Sequence, residues 1–335
     1  HERRTSKTEI MAHRPRLRFL LIIGVALGLL LVAVPAAVPD GPETLDPDRH
    51  FPYRFAEVSR YPHLDVSDRN WDRRGVVWDY RDDGADDLVS LTDGGVTLRL
   101  GEGEGHIQIW QEPLPVDFSA NGGARGIEGV WTFADPDRPE IVIKASTPDR
   151  FRWRFERRRA DDGNLVTAFE IPGGEDLRPD GMWDGQYKVL GVAEVPTAAG
   201  PVRALIMLVE AGRDLQPRGV LALAADSGRV IWQHLVGPKP DPERAGLFDL
   251  DGDGTREIVF AGRGVGNLHG RTFNGTSDDT ARVFVLDLAG RQRWSWPGGA
   301  YPGNARFALT DLEGDGKLEM VVGELSHRSQ DNRLW

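Results

Sequence analysis

The chain has 335 residues, with 52 Asp or Glu against 41 Lys or Arg, a net charge of −11 and no cysteine. The first 18 residues carry +4, so the remainder stands at −15, which argues against a nucleic-acid partner. Disulfides are excluded, and 40 glycines with 22 prolines point to a chain rich in turns and strands.

From Met11 the chain shows a basic stretch (His13, Arg14, Arg16, Arg18) and then an apolar run from Phe19 to Val34. Such a run is long enough for a secretory signal or a short membrane anchor, and Val34-Pro35-Ala36 offers small residues for cleavage. Residues 1–38 therefore read as an export signal or a single membrane anchor, 39–60 as a linker and 61–335 as the folded domain. That domain is expected to be exported: periplasmic, secreted, or held at the membrane only through the N-terminal hydrophobic helix.

Beyond the linker, short strand-like runs alternate with turns. Asp79, Asp83 and Asp87 are spaced four apart before Leu88-Val89, with Arg81 between them and Asp82 as a substitute ligand. This is a weak relative of a metal loop. Phe133 to Ile143 keeps the following strand and loses most of the acids, and Trp183 to Gly191 reads as a more eroded copy. Hairpins turning at Asp161-Asp162-Gly163, Asp226-Ser227-Gly228 and Leu288-Ala289-Gly290 sit between apolar strands. The last two run on to Trp232 and Trp294.

The sharpest features come late. Asp249, Asp251, Asp253 and Glu257 hold positions 1, 3, 5 and 9 of one loop, with Gly254 at position 6. Asp311, Glu313, Asp315 and Glu319 repeat the spacing 62 residues on, with Gly316 at the turn. A hard cation such as Ca²⁺ takes six to eight oxygens, so clustered carboxylates around a glycine turn fit it. An EF-hand is excluded, because position 12 is Phe260 in one copy and Val322 in the other, where a bidentate Glu is needed. Glu257 to Gly262 and Glu319 to Gly323 read as buried strands, so the ion would sit in a strand–loop–strand hairpin.

Both loops resemble the FG-GAP/VCBS repeats of integrin-type β-propellers, Asp-x-Asp-x-Asp-Gly-x-x-Asp followed by a strand. Glu257, Glu313 and Glu319 depart from the pattern while keeping a carboxylate. The resemblance implies calcium held by Asp249, Asp251, Asp253, Glu257 and the Thr255 carbonyl. In the second loop it implies Asp311, Glu313, Asp315, Glu319 and the Lys317 carbonyl. The weaker loop would use Asp79, Asp83 and Asp87. The expected fold is all-β, a propeller of four-stranded blades with about five repeats, the last incomplete, behind an N-terminal hydrophobic helix. Asn332 to Trp335 looks like the start of another strand, which suggests a fragment of a longer product. The Trp-ended hairpins also resemble the repeat of quinoprotein propellers.

Other candidates carry less. Phe151, Trp153 and Phe155 alternate with Arg152 and Arg154, which reads as a strand with a core face and a basic face, or as an anion-binding patch. The long segment Gly262 to Thr280, with His269, Arg271, Asn274, Asp278 and Asp279, is a binding-loop candidate and includes the sequon Asn274-Gly275-Thr276. The tryptophans along the repeats read as blade packing. No nucleophile elbow or phosphate loop is present. The expectation is a non-catalytic binding or adhesion scaffold for a protein or glycan partner. The alternative is the propeller of a secreted enzyme, a polysaccharide lyase or a quinoprotein-like dehydrogenase.

Overall fold

The computed structural model describes residues 75–78, 87–92, 95–102, 105–119, 123–135, 138–174, 183–212, 215–300, 303–315, 317–326 and 333–334. The expected leader (1–38) and linker (39–60) lie outside the described residues, as do Asp79 and Asp83. Among the described residues no helix is long and apolar enough to cross a membrane.

The described chain is almost entirely β. Strands β1 (Gly75–Trp78), β2 (Asp87–Thr92), β3 (Gly95–Glu102) and β4 (Gly105–Glu112) form a first antiparallel sheet in sequence order. A one-turn helix, α1 (Val116–Ser119), leads to β5 (Arg125–Trp131), β6 (Glu140–Ser146), β7 (Arg152–Arg159) and β8 (Leu165–Pro172), the second sheet. The third is β9 (Gly185–Val195), β10 (Val202–Ala211), β11 (Arg218–Ala224) and β12 (Val230–Leu235). The fourth is β13 (Lys239–Phe248), β14 (Glu257–Gly264), β15 (Thr280–Leu286) and β16 (Gln292–Ala300). Finally β17 (Gly303–Thr310), β18 (Glu319–Ser326) and the two-residue β19 (Arg333–Leu334) form a further meander, linked to the fourth sheet where Arg263 and Gly264 pair with Asn304 and Gly303.

The packing follows from strand composition. β10 reads Ala204-Leu-Ile-Met-Leu-Val209, a continuous apolar run, and a strand alternates its side chains between two faces. Leu205, Met207 and Val209 therefore meet Val142, Phe155 and Phe169 of the second sheet. Ala204, Ile206 and Leu208 meet Ile258, Phe260 and Phe284 of the fourth. β14 does the same one sheet later, with Val259 and Ala261 packed against Ala305 and Val322. The first and second sheets join through Leu98, Ile127, Ile141 and Ile143. Each Val, Leu, Ile, Met or Phe side chain so removed from water contributes about 1.5–3 kcal/mol, and each alanine methyl about 0.8 kcal/mol, before chain entropy is set against it. Four-stranded meanders packed face on face in sequence order are organised as the blades of a propeller are.

A second contact repeats between neighbouring sheets. The indole of Trp110 on β4 donates to the Ala160 carbonyl at 2.9 Å, in the turn between β7 and β8. Trp232 on β12 donates to the Leu288 carbonyl at 2.9 Å, in the turn between β15 and β16. Each ring lies where a side chain on the turn glycine would go. A Cβ on Gly163 or Gly290 would stand 2.6 Å from the ring, and Phe169 occupies the same place over Gly228. All three glycines have positive φ, which a glycine adopts at little steric cost. The tryptophans of the repeats thus do pack sheets together; Trp153 and Trp183 are fully buried, while Trp294 is 44% exposed.

One expectation needs correction. Trp183 to Gly191 is not an eroded copy of the acidic loop. Trp183 and Asp184 precede the first strand of the third sheet, and the hairpin turn in the loop position is 196–201, closed by Thr197 Oγ1 to the Gly200 carbonyl at 2.6 Å. Gly185 begins an 11-residue strand with every second side chain buried up to Gly191, so the alternation belongs to the strand before the turn, not after it.

Candidate metal centre

Each acidic loop is the first hairpin connection of its sheet, between β13 and β14 and between β17 and β18. The last strand pair before the first loop is Phe248 with Glu257, and the second hairpin closes with Thr310 opposite Glu319. The loops are built by their own carboxylates. Asp249 Oδ1 and Oδ2 accept the amides of Gly252 and Gly254, both at 2.9 Å, and Asp253 Oδ1 accepts Thr255 N at 2.6 Å. In the second loop Asp311 Oδ1 accepts Gly314 N at 2.6 Å, and Asp315 Oδ1 accepts Lys317 N at 2.9 Å. Gly252 and Gly314, at position 4 of their loops, take φ of 75° and 74°. The carboxylate at position 9 turns back on position 2: Leu250 N reaches Glu257 Oε2 at 3.1 Å, and Leu312 N reaches Glu319 Oε2 at 2.6 Å.

The loops differ in convergence. Asp249, Asp251 and Asp253 each place an oxygen within 4.8 Å of the others. Oxygens bound to one Ca²⁺ at about 2.3–2.6 Å are separated by no more than about 5 Å, so this trio fits a single ion. Among the described residues it is the one group of three that meets this spacing. Glu257 stands outside the trio, and no three of Asp311, Glu313, Asp315 and Glu319 converge so closely. Lys317 Nζ lies 3.6 Å from Asp315 Oδ2, a cation drawn to that carboxylate. Burial pushes the Glu257 carboxyl upward, the Leu250 amide draws it down, and the charges of Asp251 and Asp253 push it up again. A bound cation would relieve that repulsion.

Position 9 is acidic elsewhere too. Asp87 opens β2 and is buried, and Glu140 opens β6. At Glu140 the partner is an arginine: Arg157 Nε and Nη2 reach its two oxygens at 2.8 and 3.1 Å, while Nη1 donates to the Ala225 carbonyl of the third sheet at 2.8 Å. The guanidinium also stacks 3.7 Å from the Phe133 ring. A guanidinium thus supplies positive charge to a hairpin that has lost its acidic loop. Nothing in the local sequence signals this, because Glu140 and Arg157 lie on different strands.

The basic stretch of β7 is neutralised. Arg152 pairs with Asp117 at 2.9 Å, Arg154 and Arg158 with Glu156 at 2.7 Å, and Arg159 with Asp162 at 3.5 Å. An anion patch there is not supported; Trp153 and Phe155 face the core as the alternation requires, whereas Phe151, just before the strand, is 38% exposed. The loop 265–279 is built around Asp278, which is 1% exposed. Its Oδ2 accepts Asn267 N at 2.7 Å and Leu268 N at 3.0 Å and lies 3.5 Å from Arg218 of the third sheet. The sequon is committed as well: Asn274 Nδ2 donates to the Leu235 carbonyl at 2.8 Å, and Thr276 Oγ1 accepts Gly237 N at 3.0 Å.

The class defined by fold and site is an all-β chain of serial four-stranded sheets with carboxylate-built loops at its first hairpins. No family model and no curated protein matches the sequence. Solved structures with some likeness include a europium-containing methanol dehydrogenase, 14% identical, covering 71% of this chain and 45% of that one at a TM-score of 0.38. A quinohemoprotein alcohol dehydrogenase from Comamonas testosteroni is 14% identical, with 76% and 40% covered and a TM-score of 0.39. An Agrocybe aegerita lectin, described for recognition of non-reducing terminal N-acetylglucosamine, is 14% identical, with 74% and 73% covered and a TM-score of 0.30. The chain spans less than half the length of the two dehydrogenases. Likenesses at these scores carry no argument about this chain's activity.

Proposed function

We propose that this chain is an exported, calcium-stabilised β-propeller that serves as a non-catalytic binding scaffold for a protein or glycan partner. The observation that carries the calcium reading is the convergence of Asp249, Asp251 and Asp253 on one ion-sized space. The role of the ion is structural, because the loop lies at a junction between sheets: Arg256 Nη2 donates to the Val192 carbonyl of the third sheet at 2.8 Å. Cysteine is absent, so calcium takes the cross-linking part that disulfides play in many exported domains.

The test is thermal unfolding of the chain stripped with a chelator and then returned to calcium. At ~2 mM Ca²⁺, and for affinities of 10⁻⁴–10⁻³ M, each site stabilises by about 0.6–1.8 kcal/mol. Asp251→Ala combined with Glu313→Ala is expected to abolish the rise, and Asp251→Ala alone to remove most of it. No rise in a folded sample overturns the calcium reading.

The aromatic contacts onto Gly163, Gly228 and Gly290 favour one second reading, a quinoprotein-like dehydrogenase. That reading requires a quinone absorbance band in the protein and dye-linked alcohol oxidation. Their absence leaves the scaffold.

A further inference from the structure

The loop 265–279 holds two asparagines in opposite circumstances. Asn267 is at its base, where Oδ1 accepts Arg218 Nη2 at 3.0 Å and the next amide, Leu268 N, is taken by Asp278 Oδ2 at 3.0 Å. Asn274 and Gly275 are at its tip, and both are exposed. Phe273 and Thr276 exchange both backbone hydrogen bonds at 2.9 Å, so Asn274 and Gly275 are the two central residues of a tight hairpin turn. Their φ angles are 44° and 70°, the left-handed pair that a type I′ turn requires. The closing bonds use the amides of Phe273 and Thr276, and no acceptor among the described residues takes Gly275 N. A Cβ at Gly275 would meet nothing within 4 Å, so the space beside that amide is open.

These circumstances suit one reaction. The side-chain carbonyl carbon of an asparagine can be attacked by the backbone nitrogen of the next residue, closing a five-membered ring. The nitrogen must be free of a hydrogen bond and unshielded by a side chain, and glycine lacks the Cβ that would shield it. Gly275 N meets both conditions, and Leu268 N meets neither. We propose that Asn274 is a site of spontaneous deamidation, and that its product unties the loop from the third sheet. The bond that forms joins Asn274 Cγ to Gly275 N, and the bond that breaks is Cγ–Nδ2. The Gly275 amide proton leaves with the side-chain nitrogen as ammonia. Water then opens the cyclic imide at either carbonyl, giving aspartate or isoaspartate, and nothing is oxidised or reduced. Before the reaction Asn274 Nδ2 donates to the Leu235 carbonyl of β12 at 2.8 Å. Both products carry a carboxylate, which cannot donate, so acceptor faces acceptor and that tie is lost. Isoaspartate also runs the backbone through Cβ. The longer turn then bears on the neighbouring tie, Gly237 N to Thr276 Oγ1 at 3.0 Å.

The experiment incubates the folded 335-residue chain in mildly alkaline buffer and follows its tryptic peptides by mass spectrometry, with a digest at zero time as reference. Cleavage after Arg263, Arg271 and Arg282 places Asn267 and Asn274 in separate peptides, 264–271 and 272–282. Peptide 272–282 is expected to turn into its aspartate and isoaspartate forms, more slowly in mildly acidic buffer, while 264–271 keeps its amide. Gly275→Ala shields the nitrogen and is expected to suppress the conversion. Should its left-handed φ prevent folding, Asn274→Gln keeps a side-chain donor, closes a ring less readily, and is expected to do the same. Asn274→Asp stands for the product, and a non-specific protease is expected to cut it within 265–279 roughly fivefold faster than the parent, the loss of one hydrogen bond. The proposal is overturned if Asn274 keeps its amide in the folded chain, if Asn267 converts as fast, or if Asn274→Asp resists the protease as the parent does.

Discussion

Leu318 donates its amide to the carbonyl of Leu250 at 3.0 Å, so position 8 of the second acidic loop is bonded to position 2 of the first. One sheet earlier, position 8 of the first loop reaches back in the same sense, through the Arg256 side chain to Val192. Both loops therefore sit at seams between sheets. Whatever orders a loop also orders the seam beside it, so the calcium proposed for the first loop would have a route to global stability.

The Arg256 contact tests that route, since Arg256 is not a ligand. With the proposed ion bound the loop would be pinned, and Arg256→Met, which loses a hydrogen bond, is expected to cost about 1 kcal/mol in calcium. In chelator the loop is held apart by its own carboxylates, the contact forms less often, and the cost is expected to shrink toward zero. Urea midpoints in the two conditions measure the difference. Equal costs would mean that the loop and the seam are independent.

The convergence of Asp249, Asp251 and Asp253 was legible in the sequence, because three acids at alternate positions around residues free to turn lie within five positions of one another. The double-faced burial of β10 was equally open, because its apolar run leaves no side for water. The register of the third sheet was not: its first hairpin turn holds no acids, so the alternation from Gly185 read equally well on either side of a loop. Glu140 with Arg157, Asp278 with Arg218, and Glu210 with Lys239 lay beyond reach for another reason. Each joins residues 17 to 60 positions apart, through strand pairing and packing between sheets that no local pattern encodes.

Gly290 and Gly254 separate two costs. Both have positive φ, 78° and 85°, so alanine at either pays the left-handed penalty of about 1–2 kcal/mol. A Cβ at Gly254 meets nothing within 4 Å, while at Gly290 it would press into the Trp232 ring. Gly290→Ala is therefore expected to cost about 2–4 kcal/mol, once the displaced ring is added. Denaturant melts of the two variants measure the gap. Equal losses would show that the ring on the turn contributes nothing.

Asp278 was a candidate binding residue from the sequence and is an anchor in the structure. Its carboxylate serves two backbone amides and Arg218 in a site closed to water. Asp278→Ala removes a buried carboxylate that holds two backbone amides and lies 3.5 Å from Arg218, and is expected to cost about 3–5 kcal/mol. Limited proteolysis should then cut within 265–279 before it cuts elsewhere. A variant as stable as the parent would return the loop to the list of binding candidates.

His234 gives the domain a dependence on acid that calcium does not explain. The ring is buried against the fourth sheet, with Nδ1 3.1 Å from the Gly290 carbonyl and Nε2 without a partner among the described residues. Burial holds its pKa below the ordinary value of 6.5, and the Gly290 carbonyl offsets this only in part. With the folded pKa below the unfolded one, the unfolded chain binds more protons between the two, so stability rises with pH in that window. The contribution of His234 is complete above pH 6.5 and is lost as pH falls through the folded pKa. The parent is thus expected to lose more stability between pH 7 and pH 5 than His234→Gln, which cannot take up the proton. Urea unfolding at the two pH values, with calcium held constant, measures the two slopes. Parallel slopes would show that the acid sensitivity lies in the carboxylates instead.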